Sequence, residues 1–356
     1  MKTQNKHTAY DLAQMQSLPL EAKIIMTQQR VREWYEHWDG QVYVSFSGGK
    51  DSTVLKHIVD GMYDDVPALF INTGLEFPEI QRFAKAQKNV VVVRPKMRFD
   101  EVIKKYGYPV ISKEISQDVH EANASARLHG IDARETKLYH RKFNPESDYC
   151  KKYPRYCQQS WDFLFDAPFA ASHMCCKVMK KTPAYTYEKD TGRKPILGTM
   201  AGESHIRKTQ WLRAGCNAFD SDRPRSAPMS FWTEQDVLHY IKQFNVPYCS
   251  VYGDIVIDES GRADTVEGQI NAIDYIGDYA PEDKLRTTGL YRTGCVYCGF
   301  GAHLDAKPNR YQRLKETHPR LYEYCINGGE MVDGRWQPNK EGLGLGHVLD
   351  YIGVKY

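Results

Sequence analysis

Short apolar runs alternate with amphipathic stretches through the first third of the chain. Val42-Tyr43-Val44-Ser45-Phe46 and the run 67–72 are too apolar to leave one face wet and predict buried strands, and 89–94 predicts a third strand. Between them, 53–62 and 79–87 carry the spacing of helices. An earlier helix is predicted over 20–38, with Ala22, Ile25, Met26, Val31 and Trp34 on its apolar face and Gly40 closing it. Further on, the pattern predicts helices at 115–129 and 233–244, the second with Thr233 as N-cap, a strand at 194–199 and a helix through 311–325. Strands alternating with helices predict an α/β fold: a mainly parallel twisted sheet with helices on both faces, plus a small Cys-containing C-terminal region. The expected division is an N-terminal helical segment over 1–40, an α/β domain over 41–282 with an irregular insert at about 132–161, and a C-terminal region over 283–356.

Composition narrows the class. Hydrophobic residues make up 41% and charged residues 26% of the 356, which suits a globular chain. No apolar run is long enough to cross a bilayer, and no hydrophobic signal region opens the sequence, so no membrane partner and a cytoplasmic location are expected. The net charge of +3 decides nothing about partners. One local cluster says more: within 137–161, Lys137, Arg141, Lys142, Lys151, Lys152 and Arg155 interleave with Tyr139, Phe143, Tyr149, Tyr153, Tyr156 and Trp161. That mixture suits single-stranded nucleic acid as well as it suits an ordinary solvated insert.

Ser47-Gly48-Gly49-Lys50-Asp51-Ser52 follows the first strand and opens a helix. The glycines let backbone N–H groups approach an anion, and a helix start adds unsatisfied donors with a partial positive charge. Ser47 and Ser52 offer hydroxyls, and Lys50 offers charge to a phosphate. The spacing is not that of a Walker A loop. The nine cysteines include two tight pairs, Cys175-Cys176 and Cys295-Val296-Tyr297-Cys298. In a reducing compartment such pairs point to metal or redox chemistry. By count alone, four thiolates serve zinc or an iron–sulfur cluster alike. Cys150, Cys157, Cys216, Cys249 and Cys325 read as small core residues.

The glycine loop resembles the pyrophosphate loop of the PP-loop ATP pyrophosphatase superfamily and, within it, that of the phosphoadenylyl-sulfate (PAPS) and adenylyl-sulfate reductase family. Asn72-Thr73-Gly74-Leu75-Glu76-Phe77-Pro78-Glu79 is similar to the family's second-strand segment, and 198–207, with Glu203-Ser204 and Arg207, to its Gly-x-Arg-x-x-Glu-Ser-x-x-Arg stretch. Met200 departs from it, standing where the family usually has Arg. The resemblance spans roughly 20–301 and implies an enzyme with a nucleotide site made by Ser47, Gly48, Gly49, Lys50, Asp51, Ser52, Thr73, Gly74, Glu76 and Glu203. Within that site it gives catalytic roles to Lys50, Asp51 and Arg207. It also implies a 4Fe–4S cluster on Cys175, Cys176, Cys295 and Cys298, completed by the C-terminal region, with ATP (or PAPS or adenylyl sulfate) and Mg2+ as the other cofactors. The implied activity is cleavage of ATP to AMP and pyrophosphate, adenylating a substrate for sulfur transfer, with nucleic-acid thiolation in view and a sulfur or electron donor protein as partner. A sulfonucleotide reductase releasing sulfite is the alternative, and a non-catalytic nucleotide- or redox-sensing subunit a third. The family's reductases use a C-terminal cysteine in Glu-Cys-Gly-Leu-His, whereas no cysteine follows Cys325 here, so sulfur transfer is the favoured expectation.

Overall fold

Val42–Phe46 is the central strand of a six-stranded sheet in a computed structural model that describes residues 5–259 and 283–356. Positions 1–4 and 260–282, which the expected division gives to its first and second segments, lie outside the described residues. From edge to edge the sheet runs Val90–Val93, Ala68–Ile71, Val42–Phe46, Lys194–Leu197, Arg225–Ser226 and Asn217–Ala218. All neighbours are parallel except the last pair. The α/β reading with a mainly parallel sheet therefore holds. The chain steps outward from 42–46 through 68–71 to 90–93 and later returns to the other side of 42–46. The carboxyl end of 42–46 is thus the switch point where open parallel sheets bind ligands.

The described residues form two compact units, each discontinuous in sequence. The first draws on Met1–Asn72, Glu76–Val93 and Ala184–Thr293, the second on Thr73–Leu75, Arg94–Pro183 and Gly294–Tyr356. The sheet and one large apolar core, including Val44, Val54, Phe70, Ile196, Phe231 and Trp232, belong to the first.

Local corrections have physical causes. The helix expected at 53–62 is Lys50–Asp60, because extended Gly49 acts as N-cap and the Ser52 and Thr53 hydroxyls turn back to the Gly49 carbonyl at 2.9 and 3.0 Å. The buried residues of Leu20–His37 are Lys23, Thr27, Val31 and Trp34, while Ile25 is 66% exposed. Lys23 tolerates burial because its ammonium meets both Asp236 oxygens at 2.7 and 2.8 Å and the Gln16 carbonyl at 2.7 Å. Asp236 is also the third residue of a capping box with Thr233, so one carboxylate serves the N-terminus of Glu234–Gln243 and anchors the Leu20–His37 helix. The helix expected through 311–325 is two, Arg310–Thr317 and Pro319–Ile326. Pro319 forces His318 out of the helical region, to φ −140° and ψ 65°.

In the second unit, the segment 108–111 joins two distant stretches. Tyr108 accepts from the Ser172 amide and donates its own amide to the Ala170 carbonyl. Val110–Ile111 pairs in parallel with Gly299–Phe300. No helix among the described residues is long and apolar enough to cross a membrane.

Candidate functional site

The glycine loop leaves the carboxyl end of the central strand in a conformation that needs its glycines. Gly48 has φ +72°, and a Cβ there would stand 3.0 Å from the Ile80 side chain. Gly198, at the end of the neighbouring strand, lies against the backbone of Asp51 and Ser52, where a Cβ would come within 3.2 Å of both. The loop's hydroxyls are spent internally: Ser52 Oγ donates to the Gly49 carbonyl, Ser47 Oγ lies 3.0 Å from Ser52 Oγ, and the amides of Ser47 and Gly49 donate to Ser52 Oγ and Ser47 Oγ. Their role here is to fix the loop around the helix start. Gly49 offers no capping side chain, and the Lys50 amide donates to the Tyr252 hydroxyl at 3.3 Å.

Lys50, expected to meet a phosphate, is buried, with 2% of its side chain exposed, and its ammonium points elsewhere. It lies 2.8 Å from Glu234 Oε1 and donates to the Tyr291 carbonyl at 2.8 Å, with the rings of Tyr252 and Tyr291 flanking it. Asp51 is the next residue, 4.0 Å from that ammonium. Its Oδ1 is buried without a hydrogen-bond partner among the described residues. Burial, with Glu234 nearby, pushes its carboxyl above the usual carboxylate range, while Lys50, Arg292 and Arg207 pull the other way.

Arg207 and Glu203 form an ion pair beside this loop. Ser204 caps the helix His205–Ala214 that carries Arg207. Glu203 also accepts from the Met200 amide at 2.8 Å and pairs with Arg292 at 3.1 Å. Two guanidiniums thus share one carboxylate, and burial together with the Arg292 charge holds the Arg207 pKa below its ordinary value. Such an excess of half-exposed cationic forks suits a polyanion. Met200 is buried in the apolar core, at 3% exposure. Arg292 supplies a second guanidinium from 89 positions beyond Glu203.

Sequence reasoning missed Glu234, Tyr252, Tyr291 and Arg292, which reach the loop from distant segments and carry no local motif. Glu76 is half-buried at the start of its segment in the same unit, and its carbonyl accepts from Gln81 Nε2. Thr73 and Gly74 belong to the second unit, where Thr73 Oγ1 accepts from the Leu75 amide and Gly74 turns the chain at φ +76°.

The four cysteines singled out in the sequence all lie in the second unit. The 108–111 segment explains their approach: Ser172 on one side precedes Cys175 by three positions, and Gly299 on the other directly follows Cys298. Cys175 and Cys176 Sγ are 4.0 Å apart, and the Cys298 amide donates to the Cys295 carbonyl at 3.1 Å, closing the C-x-x-C turn. The Cys298 carbonyl is held by Arg310 Nη1 at 2.9 Å and the Tyr311 hydroxyl at 3.0 Å. The thiols sense one another. A hydrogen bond from Cys175, with Lys113 and Lys180 nearby, lowers the Cys176 pKa to about 5, and the same bond, burial and the charges of Cys176, Cys298 and Cys295 push Cys175 up. Burial and Cys295 raise Cys298 to about 11. Among the described residues, no three His, Cys, Asp or Glu side chains converge in an arrangement that could hold one metal ion. The fit to an iron–sulfur cluster is therefore one of donor type, four soft thiols with lysines nearby, and not of assembled ligand geometry.

Residues 41–140 and 130–299 match the phosphoadenosine phosphosulfate reductase domain family. An uncharacterized protein of Methanocaldococcus jannaschii is 30% identical over 305 residues, which are 83% of this chain and 50% of that protein, so the chain spans about half the length of the curated relative it matches. Among solved structures, the chain is similar to a phosphoadenylyl-sulfate (PAPS) reductase from Candida auris, at 16% identity and TM-score 0.34, covering 69% of this chain and 92% of that one. It is also similar to a U34-tRNA thiolase from Methanococcus maripaludis with its 4Fe–4S cluster, at 14% identity and TM-score 0.29, covering 64% and 66%.

Proposed function

The chain belongs to the phosphoadenosine phosphosulfate reductase domain family, and from that premise we propose that it is a PP-loop enzyme that cleaves ATP to AMP and pyrophosphate, adenylating an acceptor for sulfur transfer. The observation that carries this reading is the pairing of Arg207 and Arg292 through Glu203 beside a glycine loop at a helix start. The helix N-terminus would take the leaving pyrophosphate, displacing the Tyr252 hydroxyl from the Lys50 amide, and the two guanidiniums would take charge building on the phosphates. In the first step an acceptor oxygen attacks the α-phosphorus and the bond to the β-phosphate oxygen breaks. In the second, a sulfide-level sulfur from the donor attacks the activated acceptor carbon, the bond from that carbon to the adenylate oxygen breaks, and AMP leaves. Lys50 holds the loop from beneath through Glu234 and Tyr291, a positioning role in the conformation described here. Mg2+ would accompany the phosphates.

Cys175, Cys176, Cys295 and Cys298 would hold a 4Fe–4S cluster; with all four thiolates bound every iron has its protein ligand, and an iron open to sulfur would need one of the four to leave. The 41–282 segment as a nucleotide-binding domain, with the C-terminal region completing the cluster site, is part of the same proposal, as is a sulfur donor protein as partner.

Pyrophosphate release from ATP by the anaerobically purified protein tests the reading. Release stimulated by an acceptor and lost in Arg292→Ala supports it. No release from ATP, with sulfite released from PAPS or adenylyl sulfate and a thiol donor, replaces it with sulfonucleotide reduction.

A further inference from the structure

The insert concentrates the protein's charge. Within 137–156 there are six lysines and arginines against two carboxylates, a net of +4 in a chain whose total is +3, so the rest of the protein is close to neutral. Its tip is Lys151-Lys152-Tyr153-Pro154-Arg155-Tyr156, and all six of these residues are exposed. Tyr153 is 44% and Tyr156 55% exposed. Tyr149 and Tyr153 rings lie 5.4 Å apart, and Arg141 sits over the Tyr149 face at 5.0 Å.

This tip is held at both feet. Cys150 Sγ and the Gln158 amide converge on one acceptor, the Lys142 carbonyl, at 3.4 and 2.8 Å. Gln158 is buried and its side-chain amide donates to Asp118 at 2.7 Å, on the Lys113–His129 helix. Pro154 fixes one backbone angle between the feet. The segment is therefore pre-organised, which reduces the ordering cost of binding. Among the described residues the one ion pair at the tip, Lys151 with Glu146 at 3.0 Å, is exposed on both sides and is easily exchanged for another anion.

We infer that 151–156 is a docking finger for single-stranded nucleic acid, with Tyr153 and Tyr156 stacking on bases and Lys151, Lys152 and Arg155 meeting phosphates. This rests on the sulfur-transfer reading and gives its acceptor a class. Duplex offers no free base faces to the rings, and a purely acidic protein gives them nothing to stack on.

The test is fluorescence anisotropy of labelled oligo-uridine and oligo-thymidine with the full chain and no nucleotide present. Tyr153→Ala/Tyr156→Ala is expected to weaken binding by roughly 10-fold or more. Lys151→Gln/Lys152→Gln/Arg155→Gln is expected to flatten the salt dependence by about two units of log–log slope. Both variants are exposed substitutions, and an unchanged thermal midpoint confirms the fold. Equal affinity in wild type and variants, or equal binding of duplex or polyglutamate, overturns the proposal. ATP-dependent pyrophosphate release is measured in parallel: its survival in finger variants that lose oligonucleotide leaves the two readings separable, and its absence in wild type with oligonucleotide binding intact removes only the adenylation.

Discussion

The Lys50 ammonium lies 2.8 Å from the Glu234 carboxylate, with 2% and 16% of the two side chains exposed. A lysine in the glycine loop is thus committed to a carboxylate 184 positions later, and the pair joins the loop's helix to the start of Glu234–Gln243. Removing one partner leaves the other as an uncompensated buried charge. Lys50→Ala is expected to cost about 3 kcal/mol of stability, and Lys50→Ala/Glu234→Gln to recover most of it. Urea unfolding of both variants checks this. The double variant is also the clean probe of function: it is expected to fold and to lose pyrophosphate release, and wild-type turnover in it would remove Lys50 from the mechanism.

Arg292 gives a second prediction. It shares Glu203 with Arg207, and a guanidinium hydrogen-bonded to a phosphate contributes about 1.5–3 kcal/mol. Arg292→Ala is expected to weaken nucleotide binding roughly 10- to 100-fold by calorimetry with little loss of thermal stability, since its side chain is 43% exposed. Arg292→Lys keeps the charge but not the fork and is expected to recover only part of the affinity. Full recovery by lysine would mean that only long-range charge matters.

The same residue shows where sequence reading stops. The strand at 42–46, the Thr233 cap and the glycine loop were legible because their signals lie within a few neighbouring positions: apolar runs, a capping box, two glycines after a strand. Arg292 pairs with a carboxylate 89 positions away, and Tyr252 reaches Lys50 across 202. No local period reports such meetings. The buried face of Leu20–His37 failed for a related reason: Lys23 looks like a solvent residue until Asp236 is placed beside it. The break at His318-Pro319 was legible, and helical periodicity on both sides hid it.

The cysteine assignment is checked by metal content. Anaerobically purified protein is expected to carry iron and acid-labile sulfide. Cys298→Ala, which removes a thiol whose carbonyl stays anchored by Arg310 and Tyr311, is expected to lose most of the iron while keeping its fold. Cys325→Ala, changing a fully buried cysteine on Pro319–Ile326, is expected to keep the iron and lose stability by about 1 kcal/mol. Zinc in place of iron, or full iron in Cys298→Ala, would refute the ligand set.

Asp51 couples stability to pH against function. Burial raises its carboxyl above the ordinary value of 3.8, so the folded protein holds this proton more tightly than the unfolded chain does. In the window above 3.8 the native state binds more protons, and stability falls as pH rises through the folded pKa. The favourable contribution is fully present only below the unfolded value and is lost as pH rises through the folded pKa, above which the ionised form sits buried with no hydrogen bond to Oδ1 among the described residues. Asp51→Asn is therefore expected to be more stable than wild type at pH 7, with the difference vanishing toward pH 3, as read from thermal midpoints across pH. The same variant is expected to lose pyrophosphate release. If Asp51→Asn is less stable at pH 7 and fully active, the carboxylate is a structural acceptor and the loop's chemistry must be carried without it.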